Sequence, residues 1–299
     1  MANNIGTLTP TLIAQSGLAL LVAKYPVITK IATDFSSQQI PYGASIITKI
    51  PTVGTMQTYS ASAGYVTSAL NSTDVTVTLN QHVYNGFSIN DEEQTQISPI
   101  LFNQYAESIA DSIGLGVMSG IAALWTTGNY TYPVTAQALT GVNRNTIINA
   151  ETQLNTRNVP KTNRFGVLNS YAYGQLLQDS SLVSTLFVPG GPGVAGPNVP
   201  VINGIPFTEY SLLPSGQYQQ GIIGSPDSMA FVSRLPQDPG ALGLPLMGNI
   251  TIITDPVSNL SIQLRDWYDF SLGKRNVVYT FMYGVAVGNP KSLQIVTTQ

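Results

Sequence analysis

Few residues in this chain are of the types that perform catalysis. His82 is the only histidine, and there is no cysteine. A Ser-His-Asp arrangement therefore has one possible base, and a thiol nucleophile and a cysteine metal site are excluded. No histidines and carboxylates stand at spacings that suit a metal ion. Because His82 sits in an uncharged stretch with the pattern of a strand, we expect it to be structural.

Two groups of charged residues are the remaining candidates for chemistry. The only acidic cluster is Asp91–Glu93, and paired carboxylates can act as general acid and base. No histidine, lysine or arginine lies near it in sequence, so a solvated turn between a strand and a helix is favoured. Asp266 and Asp269 stand near Lys274 and Arg275, and we expect an ion-pair cluster there, at the surface or in an interface.

A glycine pattern at Gly191, Gly193 and Gly196 matches the dinucleotide-binding motif. That motif needs a strand before it and a helix after it, and the helix N-terminus holds the phosphates. No strand leads in, and Pro197 and Pro200 prevent the helix. There is no P-loop. The sequence thus predicts a protein that is not an enzyme, with no cofactor and no metal.

The composition favours self-association. Only 9% of the 299 residues are charged, against about 25% in an average protein. Soluble monomers usually carry many surface charges of both signs. With 43% hydrophobic residues the chain can build a core, and its surface must be largely neutral. A surface covered by copies of the same chain fits this composition better than the alternative, a secreted all-β domain.

Charge and hydropathy also exclude several classes of partner. The 12 Lys and Arg residues are scattered and form no basic run, so strong charge-driven binding to nucleic acid is not expected. The apolar run Leu18–Ala23 is too short to span a membrane. No basic residue precedes it, which argues against a signal peptide.

The stretch from Ile50 to Asn90 organises the chain. Asp74 is its single formal charge, and Asp74–Leu79 alternates polar and apolar residues as a two-faced strand does. Exposed strands normally carry charges that prevent aggregation. This stretch is therefore either buried in its own domain or covered by another chain. Two strands flanking a flexible Gly- and Ser-rich tip predict a long excursion, and Asn85-Gly86 predicts a hairpin turn or, as we favour, a bulge.

The elements around this stretch are mixed. Thr9 and Pro10 begin a short helix that ends at Pro26, and Ser98 and Pro99 begin a longer one that runs to Trp125. The longer helix carries a stripe of small residues, which predicts that a neighbour approaches closely: Ala106, Ala110 and Gly114. Further helices are predicted at Asn143–Thr156 and Ser170–Leu177. The predicted strands are Ala44–Ile50, Arg164–Asn169, Val201–Ile202, Gly221–Ile223, Met229–Val232, Asn249–Thr254, Leu260–Asp266, Asn276–Val287 and Ser292–Val296.

The order of these parts resembles the tailed-phage major capsid proteins with the HK97-type fold. The resemblance spans nearly the whole chain. The stretches that carry it are Gly43–Pro51, Phe87–Glu93 leading into the long helix, Asn143–Ser170, Gly204–Phe207 with Leu212–Pro214, and Tyr283–Ser292.

The resemblance implies an α+β fold with four parts. They are an N-terminal arm at 1–47, an extended loop at 48–86, a peripheral domain with the long spine helix at 87–142 and 256–299, and an axial domain at 143–255. The loop would lie over a neighbouring subunit. Candidate contact residues on it are Tyr59, Tyr65, Val66 and Thr67.

The implied function is a major capsid protein. Copies would form hexamers and pentamers of an icosahedral shell around non-specifically bound double-stranded DNA, assembled in the host cytoplasm and found in the virion. A portal, a separate scaffolding protein and a decoration protein are the implied partners. Lys49 stands at the loop's root and the next lysine is Lys161, so covalent cross-linking through a loop lysine is not expected. An encapsulin-type compartment that encloses enzyme cargo is the alternative.

Overall fold

A computed structural model describes residues 10–51, 56–62, 64–65, 72–90, 99–138, 141–179, 201–213, 219–238, 240 and 248–298. Helices within these residues are α1 Pro10–Lys24, α2 Val27–Lys30, α3 Pro99–Ala122, α4 Arg144–Thr156 and α5 Ser170–Leu177. The first strands are β1 Ala32–Ile40, β2 Ser45–Pro51, β3 Ser72–Thr78, β4 Gln81–Asn90, β5 Thr135–Gln137, β6 Phe165–Leu168 and β7 Val201–Ile202. The later strands are β8 Ile205–Glu209, β9 Gln219–Gly224, β10 Met229–Pro236, β11 Asn249–Thr254, β12 Ser261–Asp269, β13 Lys274–Val287 and β14 Leu293–Thr298.

The strands form two six-stranded sheets and one two-stranded ribbon. The first sheet has the order β1-β10-β13-β12-β11, and β4 pairs with the other edge of β13. The second has the order β5-β14-β9-β6-β8-β7, and β2 pairs with β3 in the ribbon. Parallel pairs (β1 with β10, β5 with β14, β6 with β8) occur among antiparallel ones. With helices packed on both sheets, this is the α+β architecture that the sequence predicts.

Helices α1 and α3 cover one face of the first sheet. Ile109, Ile113 and Val117 recur every four residues along α3 and are buried in the main core, as an amphipathic helix requires. The ring of Tyr25, just after α1, lies so close to Gly114 that a Cβ there would overlap it. The close approach expected along the small-residue stripe is thus confirmed at this glycine.

The second sheet is covered by α4 and α5, which share a separate core of apolar residues. Asn143 caps α4 by accepting a hydrogen bond from the backbone of Thr146 at 3.1 Å. Helix α5 is capped by Asn169, which accepts from the backbone of Ala172 at 2.7 Å. Ser170, where the sequence predicts that this helix begins, could itself act as a cap, but it is the first helical residue and the cap is the residue before it.

The two sheets are joined where the chain crosses between them twice. Short 3-10 turns at Pro226–Ser228 and Pro290–Ser292 lie side by side, and the Ser292 hydroxyl donates to the Asp227 carboxylate at 2.9 Å. Trp125, fully buried after α3, donates its indole N–H to Met229 Sδ at 3.1 Å. The end of α3 is therefore fixed to this crossing.

Within the predicted N-terminal arm, the structure adds a second helix, α2, and strand β1 to the one helix that the sequence predicts. Its described part folds onto the first sheet, because β1 pairs in parallel with β10 and Phe35 packs edge-on against Phe231 at 5.2 Å between ring centroids. Arg234 also binds the Asp34 carboxylate at 2.9 Å. The polar residues of β1 hide it from a search for apolar alternation.

Asn85-Gly86 forms neither a turn nor a bulge. Strand β4 pairs with β13 in continuous register from Gln81 to Asn90. A Cβ on Gly86 would lie 2.9 Å from Val278 Cγ2, so the glycine is there for a close approach of the two strands.

The sheets divide the chain differently from the four predicted parts. Strand β10, in the predicted axial domain, lies in the first sheet, and β14, in the predicted peripheral domain, lies in the second. The domain boundaries stay a prediction. The acidic cluster Asp91–Glu93 and the glycine pattern Gly191–Gly196 lie outside the described residues.

Candidate subunit interface

The stretch from Ile50 to Asn90 contributes strand β3 to a two-stranded ribbon whose other strand, β2, begins before it. Its register runs from Ser45 opposite Thr78 to Pro51 opposite Ser72 without a shift. Because side chains alternate along a strand, the ribbon has two faces of different character. One face packs on the protein's own first sheet, and the other faces solvent.

The inner face anchors the root of the ribbon. Ile50, Val75 and Val77 are buried there against Ala230 and Val232 of β10, on the side of the sheet opposite α1 and α3. The sheet is therefore sandwiched between the helices and the ribbon. The sequence left open whether this stretch is buried in its own domain or covered by another chain. The inner face of the root is buried against the protein's own first sheet.

Two glycines, one in β13 and one just after it, let the ribbon lie this close to the first sheet. A Cβ on Gly284 would overlap the carbonyl oxygen of Thr78 and lie 2.9 Å from Val77 Cγ1. A Cβ on Gly288 would lie 2.7 Å from Ile50 Cδ1. These contacts are tighter than van der Waals packing permits, so glycine at both positions is what allows the backbone approach.

The outer face carries the ribbon's exposed residues. Lys49 and Asp74, opposite in sign, stand directly across from each other in the register. Ile47 on the same face is 60% exposed, an unusual position for a large apolar residue. The few charges of this segment are thus paired in register at its root.

The tip beyond the root is aromatic and exposed. Tyr59 and Tyr65 pack on each other with ring centroids 4.9 Å apart, and the Gly64 N–H donates to the Ser60 carbonyl at 2.8 Å. Tyr65 is 90% exposed and Met56 is 94% exposed. The structure thus brings together two of the predicted contact residues. The other two, Val66 and Thr67, lie outside the described residues, and their role stays a prediction.

Sequence reasoning missed Met56 and Ile47 as exposed apolar residues. For Ile47 a signal was available, since it alternates with Ile46 and Ile50, which turn inward. Side chains of a strand alternate between two faces, and only one of these faces can be buried against the protein's own domain. For Met56 the absence of any nearby charge was the only signal.

His82 has a structural partner, as expected. Its Nε2 lies 2.7 Å from the Thr280 hydroxyl, which donates its proton to the Val83 carbonyl at 3.0 Å. Nε2 of His82 is therefore the donor in the first contact. Burial, with a smaller contribution from Arg265, lowers the pKa of His82, so the ring is neutral at pH 7.

The charged group at the β12–β13 hairpin is an ion pair, in agreement with its prediction. Arg275 Nε donates to the Asp266 carboxylate at 2.9 Å, and this hydrogen bond raises the pKa of Arg275. Asp269 does not join them, because its carboxylate accepts from the backbone and hydroxyl of Ser271 instead. This places no acid and base in a catalytic arrangement.

In the described part of the chain, no group of three or more His, Cys, Asp and Glu residues could hold a metal ion. No described helix is long and apolar enough to cross a membrane.

Solved structures with a similar fold come from virus shells and a virus-like particle. The mature capsid of bacteriophage PhiM1 matches with a TM-score of 0.57 and 11% identity over 91% of this chain and 86% of that chain. The capsid of cyanophage P-SCSP1u gives 0.56 and 13% over 90% and 86%. The virus-like particle from Pyrococcus furiosus gives 0.53 and 11% over 95% and 97%.

No family model matches the sequence, and no curated protein matches it. The similarity therefore lies in the fold. That fold is the HK97-type fold of tailed-phage major capsid proteins, and the prediction of this fold from the order of the sequence elements is confirmed.

Proposed function

We propose that this chain is a major capsid protein whose copies assemble into an icosahedral shell around double-stranded DNA. The observation that carries the proposal is the ribbon. Its root is anchored in its own sheet, while its tip presents Met56, Tyr59 and Tyr65 to solvent without a charge. Aromatic residues and methionine are the types enriched in protein interfaces. A monomer would gain nothing from holding them in water.

The fold supports a structural role over a catalytic one. The two phage structures with this fold are capsids by name, and the described residues bring no nucleophile, base and stabilising group together. Several charged side chains form ion pairs inside the subunit, such as Arg234 with Asp34 and Arg275 with Asp266. The low surface charge then suits burial in many repeated contacts, each of which is weak on its own.

The proposal includes the remaining parts of the assembly. Hexamers and pentamers of this chain would close the shell, with a portal at one vertex, a separate scaffolding protein and a decoration protein as partners. The four parts predicted from the sequence are proposed as arm, extended loop, peripheral and axial domain. The shell would assemble in the host cytoplasm and be part of the virion.

A compartment shell of the encapsulin type is the second candidate. The observation behind it is that the fold is shared with a virus-like particle from Pyrococcus furiosus over 95% of this chain, so similar folds are not limited to shells that are named as phage capsids. Both candidates need the same subunit contacts, and they differ in what the shell encloses.

The contents of purified particles distinguish the two. The chain is produced in a bacterial host with candidate scaffolding and portal partners, and particles are purified after nuclease treatment. A capsid is expected to protect double-stranded DNA of a uniform length. Particles that contain a co-purifying enzyme and no protected DNA would support the compartment shell instead. Failure to form any particle would contradict both.

A further inference from the structure

The two sheets are connected by one antiparallel pair of chain segments that passes from the second sheet into the first. Strands β9 and β10 follow each other on one side of this pair, and β13 and β14 follow each other on the other side. Regular pairing in the first sheet ends with Met229 opposite Val287, and pairing in the second sheet begins beyond residues 225–228 and 288–292. We call these two short segments the joint.

The joint interrupts the regular pairing of the strands. One segment is a residue longer than the other, so the register of one sheet cannot continue into the next. Each segment forms a 3-10 turn that starts with a proline, Pro226 or Pro290, and proline has no N–H to donate across the pair. Backbone hydrogen bonds of 2.8–2.9 Å connect the two segments, donated by the amides of Ser225, Gly288 and Asn289.

One carboxylate links the two turns through side chains. Asp227 accepts a hydrogen bond of 2.9 Å from the Ser292 hydroxyl and a longer one of 3.4 Å from the Asn289 side-chain amide. Asn289 also caps the second turn, because its side-chain oxygen accepts from the Lys291 backbone N–H at 3.1 Å. Ser292 is fully buried, so its bond to Asp227 is shielded from water. Asp227 therefore holds both ends of the second turn.

The first turn has its own attachment, to the end of α3. The Tyr130 hydroxyl donates to the Ser228 carbonyl at 3.0 Å, next to the bond from Trp125 to Met229. Both aromatic side chains are buried in the main core. The first turn is therefore fixed to the helix layer of the first sheet, and the second turn, which leads into β14 of the second sheet, is bonded to the first turn.

We infer that the Asp227 carboxylate is a latch that fixes the angle between the two sheets. Without its hydrogen bonds the irregular joint can absorb a rotation, because hinges lie where a few residues at the ends of elements change their backbone angles. The main core contains residues of both sheets, such as Phe231 and Ile222, so the sheets would tilt by small shifts and stay in contact. The latch acts within the single subunit, and in a shell of the proposed kind it would hold every copy at the same angle.

The first experiment measures hydrogen exchange of the isolated subunit by NMR. Asp227→Ala should speed exchange at the joint amides, Ser225, Gly288 and Asn289, about tenfold or more, because hydrogen bonds to a carboxylate are lost. Amides in the middle of β13 and β6 should keep their wild-type rates. Asp269→Ala is the matched control, because Asp269 also accepts from a serine hydroxyl but lies in the β12–β13 hairpin, and it should leave the joint amides unchanged. Joint amides that Asp227→Ala leaves unchanged, or an equal rise throughout both sheets, would overturn the inference.

The second experiment measures the distance between the sheets by pulsed EPR and uses the absence of native cysteine. Spin labels are attached at Tyr171→Cys on α5, over the second sheet, and at Val257→Cys in the first sheet, two exposed positions. We expect one narrow distance distribution with Asp227 in place and a shifted or broader one with Asp227→Ala. Ser292→Ala keeps the carboxylate, removes its donor and should act in the same direction, so a folding failure of Asp227→Ala still leaves a test. An unchanged distribution would overturn the inference even where the joint amides exchange faster, because the carboxylate would then stabilise only the turns. Both readouts come from the free subunit, so a failure to form shells would contradict the proposed function without deciding the latch.

Discussion

Replacing Tyr65 with aspartate separates the stability of the subunit from the stability of the assembly. Tyr65 is 90% exposed, and its ring packs on that of Tyr59 with the ring centroids 4.9 Å apart. Such aromatic pairs contribute about 0.5–1.5 kcal/mol. The substitution should therefore lower the free energy of unfolding of the isolated subunit by about 1.5 kcal/mol at most. The melting temperature should fall by no more than about 6 °C.

The effect on assembly should be much larger. Burying an aromatic side chain in a subunit contact contributes about 1.5–3 kcal/mol, and all of the exposed surface of Tyr65 is available for it. The aspartate loses this term and adds the cost of burying an unpaired carboxylate. Since 1.4 kcal/mol is a factor of ten, the dissociation constant of the contact should rise about 100-fold or more.

Two measurements check this separation. Thermal unfolding of the free subunit gives the first effect, and light scattering during assembly over a range of concentrations gives the second. Val257→Asp is the control, because Val257 is 84% exposed and belongs to the turn between β11 and β12, outside the ribbon segment of the chain. If Tyr65→Asp assembles at the wild-type concentration, the ribbon tip is not the contact proposed for it.

Three further perturbations follow from the packing of the first sheet. Val77→Ala removes two buried carbons at the ribbon root and should cost about 2 kcal/mol in urea unfolding, whereas Val257→Ala should cost under about 0.5 kcal/mol. Gly284→Ala pushes on the Thr78 carbonyl and should cost about 1–3 kcal/mol by the same assay; an unchanged midpoint would contradict the close approach. Burial lowers the pKa of His82 below its ordinary 6.5, so the unfolded chain takes up this proton first and stability should fall as pH drops below about 6.5. His82→Gln should flatten that fall between pH 7.5 and 5.5, and an equal fall in both proteins would exclude His82 as its cause.

The helices and the long strands could be predicted because their signals are local. Pro99 opens α3 and its apolar residues recur every four positions, so the helix is found to within a few residues. Asn276–Val287 is apolar enough to be found as a strand, and the structure extends it by two residues, to Lys274. The fold class followed from the order of such elements.

What the sequence did not predict depends on contacts between distant residues. Strand β1 is polar, and it becomes a strand because β10 lies beside it about 200 residues away in sequence. The Asn85-Gly86 pair is typical of a turn, but glycine is needed at position 86 because strand β13 lies too close to leave room for a side chain.

The central claim, that copies of this chain build a closed shell, is tested most directly by electron microscopy of the purified protein. The chain is assembled alone and with a scaffolding protein, and particles are imaged and averaged with icosahedral symmetry. We expect closed shells of uniform diameter whose subunit density fits the two sheets and the α3 rod. A protein that stays monomeric under both conditions, at concentrations where capsid proteins assemble, would contradict the claim.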